Sequence, residues 1–110
     1  MKNILLITLF LLACNVQAQK CSIQKQGDAT QLVVGGKPFL ILGGELGNSS
    51  AACNEDIERI FPKLQRMGLN TVLVPAYWDL IEPQEGTFDF SLTDKVLDEA
   101  RKNKLKVVFL

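Results

Sequence analysis

The chain contains 110 residues, of which 47% are hydrophobic, and its 12 Lys and Arg balance its 12 Asp and Glu. This length allows one domain at most and excludes a complete eight-stranded α/β barrel, which needs about 250 residues. Zero net charge without a basic block argues against nucleic acid as a partner, because that binding depends on neutralising phosphates. The chain has no His, which excludes a Ser-His-Asp triad, Cys-His catalysis and a His-ligated metal site.

The first residues have the pattern of an export signal. Lys2 precedes an apolar run over residues 4–13, and residues 16–18 (Val-Gln-Ala) offer the small side chains that a signal peptidase reads. The run is shorter than the roughly 20 residues that usually span a bilayer. We therefore expect a signal peptide over residues 1–18, and export to the periplasm or the extracellular space.

A second interpretation concerns Cys14. Residues 11–14 (Leu-Leu-Ala-Cys) resemble a bacterial lipoprotein box, in which Cys14 is lipidated and anchors an outer-membrane lipoprotein. Membrane contact is expected only in that case. Cys21 and Cys53 remain under either interpretation, and a disulfide between them would stabilise the fold by about 3–4 kcal/mol. The alternative is two unpaired thiols.

A hairpin is predicted to follow a polar lead-in over residues 19–31. Residues 32–34 and 37–42 are separated by two glycines, which is typical of a two-residue turn. Residues 39–42 (Phe-Leu-Ile-Leu) form a continuous apolar run, as expected of a strand that is covered on both faces.

A helix is predicted to begin near Asn54, which can act as its cap, with Glu55 and Asp56 placed favourably in the first turn. Five apolar residues recur at helical spacing and form one stripe: Ile57, Ile60, Phe61, Leu64 and Met67. Pro62 lies inside this pattern and predicts a kink or a restart. Gly68 predicts the end of the helix.

Two further strands and one helix complete the pattern. Residues 70–75 and 105–110 are short runs rich in β-branched or apolar side chains, and each predicts a strand. Ser91 and Asp94 resemble a capping box that begins a helix ending near Asn103. The buried face of this helix is predicted to contain Leu92, Val96, Leu97 and Ala100.

The predicted strands begin near residues 39, 71 and 105, about every 33 residues, with helices between them. This is the rhythm of βαβ units, whose crossovers are right-handed and whose strands are parallel. The chain is therefore predicted to be α/β, and the periodicity fits a barrel and an open doubly wound sheet equally. No G-x-G-x-x-G or P-loop motif follows a strand, so nucleotide binding has no support.

In parallel α/β folds the ligand site lies at the carboxyl ends of the strands. Residues 43–50 and 76–90 occupy those positions. Aromatic faces can stack on sugar rings while carboxylates accept hydrogen bonds from hydroxyl groups, so this composition favours a carbohydrate partner without a cofactor or a metal. The candidate substrate-binding residues are Glu45, Tyr77, Trp78, Asp79 and Glu82.

These residues also have structural interpretations. Trp78 is about as well suited to be a packing anchor as a sugar platform, because it buries a large area. Glu82 and Glu85 lie in a sequence with turn composition, which favours solvated or capping roles. Asp79 fits a hydrogen bond within the loop as well as it fits a ligand contact.

The segment after the second predicted strand has the pattern W-x-x-x-E-P-x-E-G-x-F-D-F over residues 78–90. Together with residues 68–72 and 105–108, it resembles the N-terminal barrel strands of clan A glycoside hydrolases. The resemblance is greatest to β-galactosidases of families 35 and 42. Residues 36–39 (Gly-Lys-Pro-Phe) and 43–45 (Gly-Gly-Glu) resemble the opening of family 35.

The resemblance implies that residues 32–110 form the first three strands or so of a (β/α)₈ TIM barrel. It also implies retaining hydrolysis by two glutamates that follow the fourth and seventh strands. The chain reaches only the third strand, so the resemblance assigns no catalytic residue to it. Pro75 stands where family 35 usually has a substrate-contacting Tyr, Asp79 stands where it has Asn, and residues 44–50 replace a His-Tyr sequence.

We therefore expect the N-terminal part of an exported glycoside hydrolase that acts on β-galactosides or related glycans, and that is inactive as this chain alone. The alternative is a non-catalytic exported module that binds carbohydrate or another partner, with Tyr77 and Trp78 as its sugar platform. A secreted α/β fold without a sugar ligand is a third interpretation. Three parallel strands with two helices leave sheet edges uncovered, so poor stability of the isolated chain is predicted.

Overall fold

A computed structural model of the chain describes residues 20–110. These residues fall into two compact units that divide after Leu40. The predicted signal peptide and the lipidation candidate Cys14 lie outside the described residues. Within residues 20–110, no helix combines the length and the apolar character needed to cross a membrane.

The first unit is an antiparallel sheet of three strands in chain order: β1 (Cys21–Gln26), β2 (Ala29–Val34) and β3 (Lys37–Pro38). The glycine turn that leads into β3 confirms the predicted hairpin. Gly35 and Gly36 have φ of 59° and 78°, the left-handed values that a tight hairpin turn needs and that glycine adopts without strain.

The predicted lead-in over residues 19–31 is instead β1 and the start of β2. All six residues of β1 lie opposite residues of β2, from Cys21 opposite Val34 to Gln26 opposite Ala29. Five of the six are exposed, so β1 shows no alternation of apolar and polar side chains. The strand is held in the sheet by its backbone hydrogen bonds to β2. Such bonds do not require a particular side-chain pattern, so the sequence did not indicate the strand.

The second unit contains a parallel sheet with the order β4 (Gly43–Glu45), β5 (Thr71–Val74) and β6 (Lys106–Phe109). Gly43 lies opposite Thr71, and Thr71 lies opposite Lys106. Because each crossover between neighbouring parallel strands carries a helix, the α/β prediction is confirmed. β5 is the central strand, and three of its four residues are buried.

The first parallel strand was predicted over residues 39–42, and this is wrong. Leu40, Ile41 and Leu42 are exposed, and the strand begins at Gly43. At Leu42 the backbone N–H donates to Oδ1 of Asn70 (2.9 Å), and the carbonyl accepts from the Asn70 backbone N–H (2.9 Å). An asparagine side chain therefore supplies one of the two hydrogen bonds here, and ladder pairing starts one residue later.

Helix α1 (Asn54–Arg66) follows β4. Its N-cap is Cys53 and not the predicted Asn54, and no side chain caps the helix through a hydrogen bond. Glu55 and Asp56 lie in the first turn as predicted, where their charges suit the helix dipole. The helix continues through Pro62 without a restart.

The end of α1 is a Schellman motif. Gly68 has φ of +81°, as the sequence predicted, and its N–H donates to the Gln65 carbonyl (3.0 Å). The next N–H, of Leu69, donates to the Leu64 carbonyl (3.2 Å). Met67, predicted to lie on the buried stripe, is 73% exposed because it is the C-cap, where the chain turns away from the helical path.

A short helix, α2 (Trp78–Ile81), lies in the predicted loop after β5, and α3 (Ser91–Lys102) precedes β6. The predicted capping box of α3 does not form. The Ser91 N–H (2.8 Å) and its hydroxyl both donate to Oδ1 of Asp89 instead. Asn103 is the C-cap, as predicted.

The core of the second unit lies between β5 and the inner faces of α1 and α3. Phe61 and Ile57 of α1 are fully buried, as are Val72 and Val74 of β5. The buried cluster consists of Leu46, Ala51, Ile57, Phe61, Val72, Val74, Val96, Ala100 and Leu105. This packing fixes the strand ends from which the candidate site extends.

Candidate functional site

The three parallel strands end at one edge of the sheet, which we call the carboxyl edge. The Leu46 N–H, just after β4, donates to the Leu73 carbonyl (3.0 Å). The Ala76 N–H, after β5, donates to the Leu110 carbonyl (3.1 Å), and the Leu110 N–H donates to the Val74 carbonyl (3.0 Å). These bonds extend the pairing past the strand ends and bring the following loops to the position where parallel sheets hold ligands.

Tyr77 joins two of these loops. Its hydroxyl accepts a hydrogen bond from the backbone N–H of Ala51 (3.3 Å), and its partly buried ring packs against the core. The side chain thereby connects the loop after β4 to the loop after β5. Its predicted contact with substrate stays a prediction.

Glu82 fixes the position of Trp78. The indole N–H donates to Oε2 of Glu82 (2.9 Å), while Oε1 accepts from the Gly86 backbone N–H (2.8 Å). The two residues are one helical turn apart across α2, and Gly86, with φ of +78°, lies in the tight turn that follows. Both carboxylate oxygens of Glu82 therefore hold protein groups, which favours the structural interpretation of this residue.

Two phenylalanines complete an aromatic surface that the sequence reasoning missed. The rings of Trp78 and Phe88 have centroids 6.4 Å apart and meet edge to face at 72°. Phe88 and Phe90 have centroids 6.1 Å apart and are nearly parallel at 6°. We call these three residues the aromatic row. The signal in the sequence is the spacing of two between the phenylalanines, which places both on one side of an extended segment.

The remaining predicted residues, Glu45 and Asp79, are exposed. Glu45 is the last residue of β4, and Asp79 lies in the first turn of α2. Neither carboxylate has a hydrogen-bond or ion-pair partner among residues 20–110. Their lone pairs are therefore available to ligand hydroxyl groups.

Asp89 lies just before Phe90, the N-cap of α3, and its carboxylate accepts hydrogen bonds from Ser91 in the first turn. The Ser91 hydroxyl and then the Ser91 backbone N–H, both donating to its carboxylate, hold the pKa of Asp89 below its ordinary value. Asp89 is therefore ionised at neutral pH and occupies the N-terminal end of α3, where a negative charge is favourable.

A cleft of about 370 Å³ lies beside the N-terminal ends of α1 and α3. Its lining residues are Cys53, Asn54, Glu55, Leu80, Asp89, Ser91 and Leu92. None of the five predicted substrate-binding residues lines it. Within the described residues, no group of three or more Cys, Asp or Glu side chains has an arrangement that could hold a metal ion.

The Cys53 thiol at this cleft is free and exposed, as is the thiol of Cys21 in the first unit. The backbone N–H of Asp56 lowers the pKa of Cys53, but desolvation and the carboxylates of Asp56 and Glu55 outweigh it, so the net shift is upward. A raised pKa disfavours the thiolate and makes Cys53 a poor nucleophile. The disulfide between Cys21 and Cys53 stays a prediction.

Comparison with known proteins places this site in a family. The chain is 37% identical over 82 residues to a β-galactosidase of Xanthomonas manihotis, an alignment that covers 72% of this chain and 14% of the relative. It is 33% identical over 64 residues to β-galactosidase 11 of Arabidopsis thaliana, which covers 58% of this chain and 8% of that protein. The chain thus spans about one seventh of the first relative's length, and less of the second.

A family model supports the same conclusion. The model of the glycoside hydrolase family 42 β-galactosidases matches residues 47–110, the stretch from the loop after β4 through β6. Membership of family 35 in particular stays a prediction. The chain belongs to the β-galactosidase family of glycoside hydrolases that this model describes.

Proposed function

We propose that this chain forms the first strands of a (β/α)₈ barrel in an exported hydrolase of β-galactosides. Its parallel strands are neighbours in chain order, β4-β5-β6, and each crossover carries a helix. A barrel adds each new strand on the same side of the previous one, whereas a doubly wound sheet reverses direction at its switch point. The observed order includes no reversal and so fits a barrel, but three such strands also occur within one half of a doubly wound sheet. The family match is therefore the support for the barrel.

The observation that carries this proposal is the family match over residues 47–110, which includes the loop after β4, all of β5 and β6, and the loop after β5 at the carboxyl edge. Barrel enzymes place substrate at this edge. The two relatives are named as β-galactosidases, so the substrate class that we propose is a β-galactoside.

At that edge we propose that Glu45 and Asp79 accept hydrogen bonds from substrate hydroxyl groups, because both carboxylates are exposed and without partners in the described part of the chain. Tyr77, Trp78 and Glu82 shape the same surface. The chain then contributes binding and positioning. The acid and the nucleophile of a retaining mechanism, two carboxyl groups about 5–5.5 Å apart, are proposed to come from strands that follow β6.

Hydrolysis of o-nitrophenyl β-galactoside tests this proposal. The purified 110-residue chain is expected to give no turnover, because the acid and the nucleophile are proposed to lie on strands after β6. The gene should read in frame beyond codon 110 into further strand–helix units, and the protein made from that longer reading frame should hydrolyse the substrate. Turnover by the 110-residue chain alone, or a continuation without strand–helix repeats, would contradict the proposal.

The proposed export has its own test. Mass spectrometry of protein expressed in a Gram-negative host should find Gln19 at the mature N-terminus, which corresponds to cleavage after Ala18. A diacylated N-terminal Cys14 would establish the lipoprotein alternative. An intact Met1 in the purified protein would show that neither processing route operates.

A further inference from the structure

The aromatic row is an ordered apolar surface that faces solvent. Trp78, Phe88 and Phe90 are 60%, 53% and 51% exposed. Their rings nevertheless have defined mutual geometry, one edge-to-face pair and one stacked pair. Contiguous exposed aromatic surface is uncommon in soluble proteins and marks a binding site more often than isolated apolar side chains do.

The row is held in place by charged and backbone hydrogen bonds. Glu82 accepts from the Trp78 indole on one oxygen and from the Gly86 N–H on the other. The turn closes further through the Thr87 N–H, which donates to the Gln84 carbonyl (2.9 Å). Because the indole edge is tied to the turn that leads into Phe88, the ring faces are fixed before any ligand arrives. Preorganisation of this kind reduces the entropy lost on binding.

The charge of the surrounding segment restricts the ligand. Residues 76–90 contain four acids and no Lys or Arg. Anionic ligands, including phosphates and nucleic acids, are therefore repelled. A neutral polyhydroxyl compound fits better, because its hydroxyl groups donate to carboxylates while its C–H face packs on an aromatic ring. The exposed carboxylate of Asp79, next to Trp78, is the nearest such acceptor in the sequence.

We propose that the aromatic row is a carbohydrate platform that binds the apolar face of a pyranose ring, and that Glu82 is the positioning residue that orients Trp78 for this contact. The Phe88 ring is inclined at 72° to the Trp78 ring and is nearly parallel to Phe90. The phenylalanines therefore offer a second apolar surface at another angle, which fits a neighbouring sugar unit of a longer ligand. The inference takes the class of its ligand from the proposed function, but it concerns binding and not hydrolysis.

The experiment uses the fluorescence of Trp78, which is the only Trp in the chain. The full chain is titrated with methyl β-galactoside and with β-1,4-galactotetraose. Both are expected to change the Trp78 emission saturably, and the tetrasaccharide should bind more tightly. Sorbitol at the same concentrations has hydroxyl groups but no pyranose face, and is expected to change nothing.

Variants then separate stacking from positioning. Phe88→Ala keeps the reporter and should weaken tetrasaccharide binding about three- to tenfold, the usual range for one aromatic contact. Glu82→Ala should weaken binding by a similar factor and should also lower the fluorescence anisotropy of Trp78 without sugar, because the indole is released. Glu82→Gln retains one acceptor oxygen, so its sugar affinity and its Trp78 anisotropy should both lie between those of Glu82→Ala and the wild type.

Met67→Ala is the matched control, since Met67 is at least as exposed as the aromatic row but lies at the end of α1. It should leave sugar binding unchanged. Circular dichroism confirms that each variant folds like the wild-type chain. Binding by Phe88→Ala that equals wild type, or an unchanged anisotropy in Glu82→Ala, would overturn the proposal.

A Trp78 emission that depends on protein concentration but not on sugar would also overturn it, because the row would then be a contact between protein surfaces. Hydrolysis is not measured in any of these experiments. Loss of hydrolytic activity in the longer protein would therefore contradict the proposed function but not the platform. Hydrolytic activity would likewise not establish the platform, which is tested by binding alone.

Discussion

The hydroxyl of Tyr77 accepts a hydrogen bond from the backbone N–H of Ala51 across 26 positions of sequence. Ala51 is completely buried, so water cannot replace this acceptor. The bond is the one direct side-chain tie between the loops after β4 and β5 that the hydrogen bonds of residues 20–110 show. Its contribution to the fold can therefore be separated from any contact of Tyr77 with a sugar.

Tyr77→Phe should lower the free energy of unfolding by about 1–2 kcal/mol, because it leaves a buried N–H without an acceptor. Urea denaturation followed by circular dichroism measures this change. Ser49→Ala removes an exposed hydroxyl from the loop after β4 and should have little effect. Equal stability of the wild type and Tyr77→Phe would show that the hydroxyl is not required for this connection.

Asn70 has a similar function at the opposite edge of the sheet. Its Oδ1 accepts from the Leu42 N–H and from the hydroxyl of buried Thr71, each at 2.9 Å. Asn70→Ala leaves the Thr71 hydroxyl without this acceptor, and should destabilise the chain by about 1–2 kcal/mol. Hydrogen exchange at the Leu42 amide should accelerate in the same variant.

The control for this prediction is Asn48→Ala, because Asn48 is exposed in the loop after β4. It should change neither the unfolding curve nor the exchange rate at Leu42. If Asn70→Ala exchanges at the wild-type rate, the asparagine side chain does not substitute for a ladder hydrogen bond before β4.

The lowered pKa of Glu99 should make the free energy of unfolding depend on pH. The hydrogen bond from Lys102 (2.6 Å), and then the charges of Lys102 and Lys95, lower the pKa of the buried Glu99 carboxyl against the opposing effect of burial. A carboxyl whose pKa is lower in the folded state stabilises the fold above its unfolded pKa of about 4.3. That stabilisation is lost as the pH falls through this value to the lower folded pKa.

The wild-type chain should therefore lose more stability than Glu99→Gln when the pH is lowered from about 6 to about 3. Urea midpoints at a series of pH values measure the difference. Asp98→Asn is the control, because Asp98 and Arg101 form an ion pair that is mostly exposed and contributes little. Parallel pH profiles for the wild type and Glu99→Gln would contradict the assignment.

The parts of the fold that could be predicted from sequence are those with a periodic buried face. Ile57 and Phe61 recur at helical spacing and are both fully buried, so α1 was predictable. Val72 and Val74 alternate in β5 and are buried as well. Gly68 ends α1 because only a left-handed backbone satisfies the last carbonyls there. In each case the side chain itself carries the structural information.

Elements fixed by backbone pairing were predicted less well. Residues 39–42 are as apolar as a buried strand, yet the parallel strand is Gly43–Glu45, because its register depends on distant residues of β5. β1 is polar and exposed, so no pattern indicated it. Hydrophobicity predicts which residues can be buried, but the start of a strand depends on which partner backbone lies beside it.

The candidate site shows the same division. The order of elements predicted that the site lies in the loops after the parallel strands. The side-chain type of Trp78 predicted that this residue belongs to it. The bonds of Glu82 depend on α2, a helix of four residues that is too short to show periodicity. Phe88 and Phe90 are part of the pattern over residues 78–90, but the sequence does not show that both rings lie beside Trp78 and face solvent. The sequence therefore indicated where the site lies. It did not show which residues contact the ligand and which ones hold other side chains in place.

The free edge of β6 predicts self-association of the isolated chain. In the parallel sheet of residues 41–110, β6 pairs on one side only, and Val108 and Phe109 are 43% and 39% exposed. An exposed apolar edge strand can pair with a second chain. Sedimentation velocity should show mass rising with concentration, and Val108→Lys should shift the distribution toward monomer, because an edge lysine opposes pairing. Met67→Lys adds the same charge at the exposed end of α1 and should leave the distribution unchanged. Equal effects of the two variants would exclude the β6 edge as the contact.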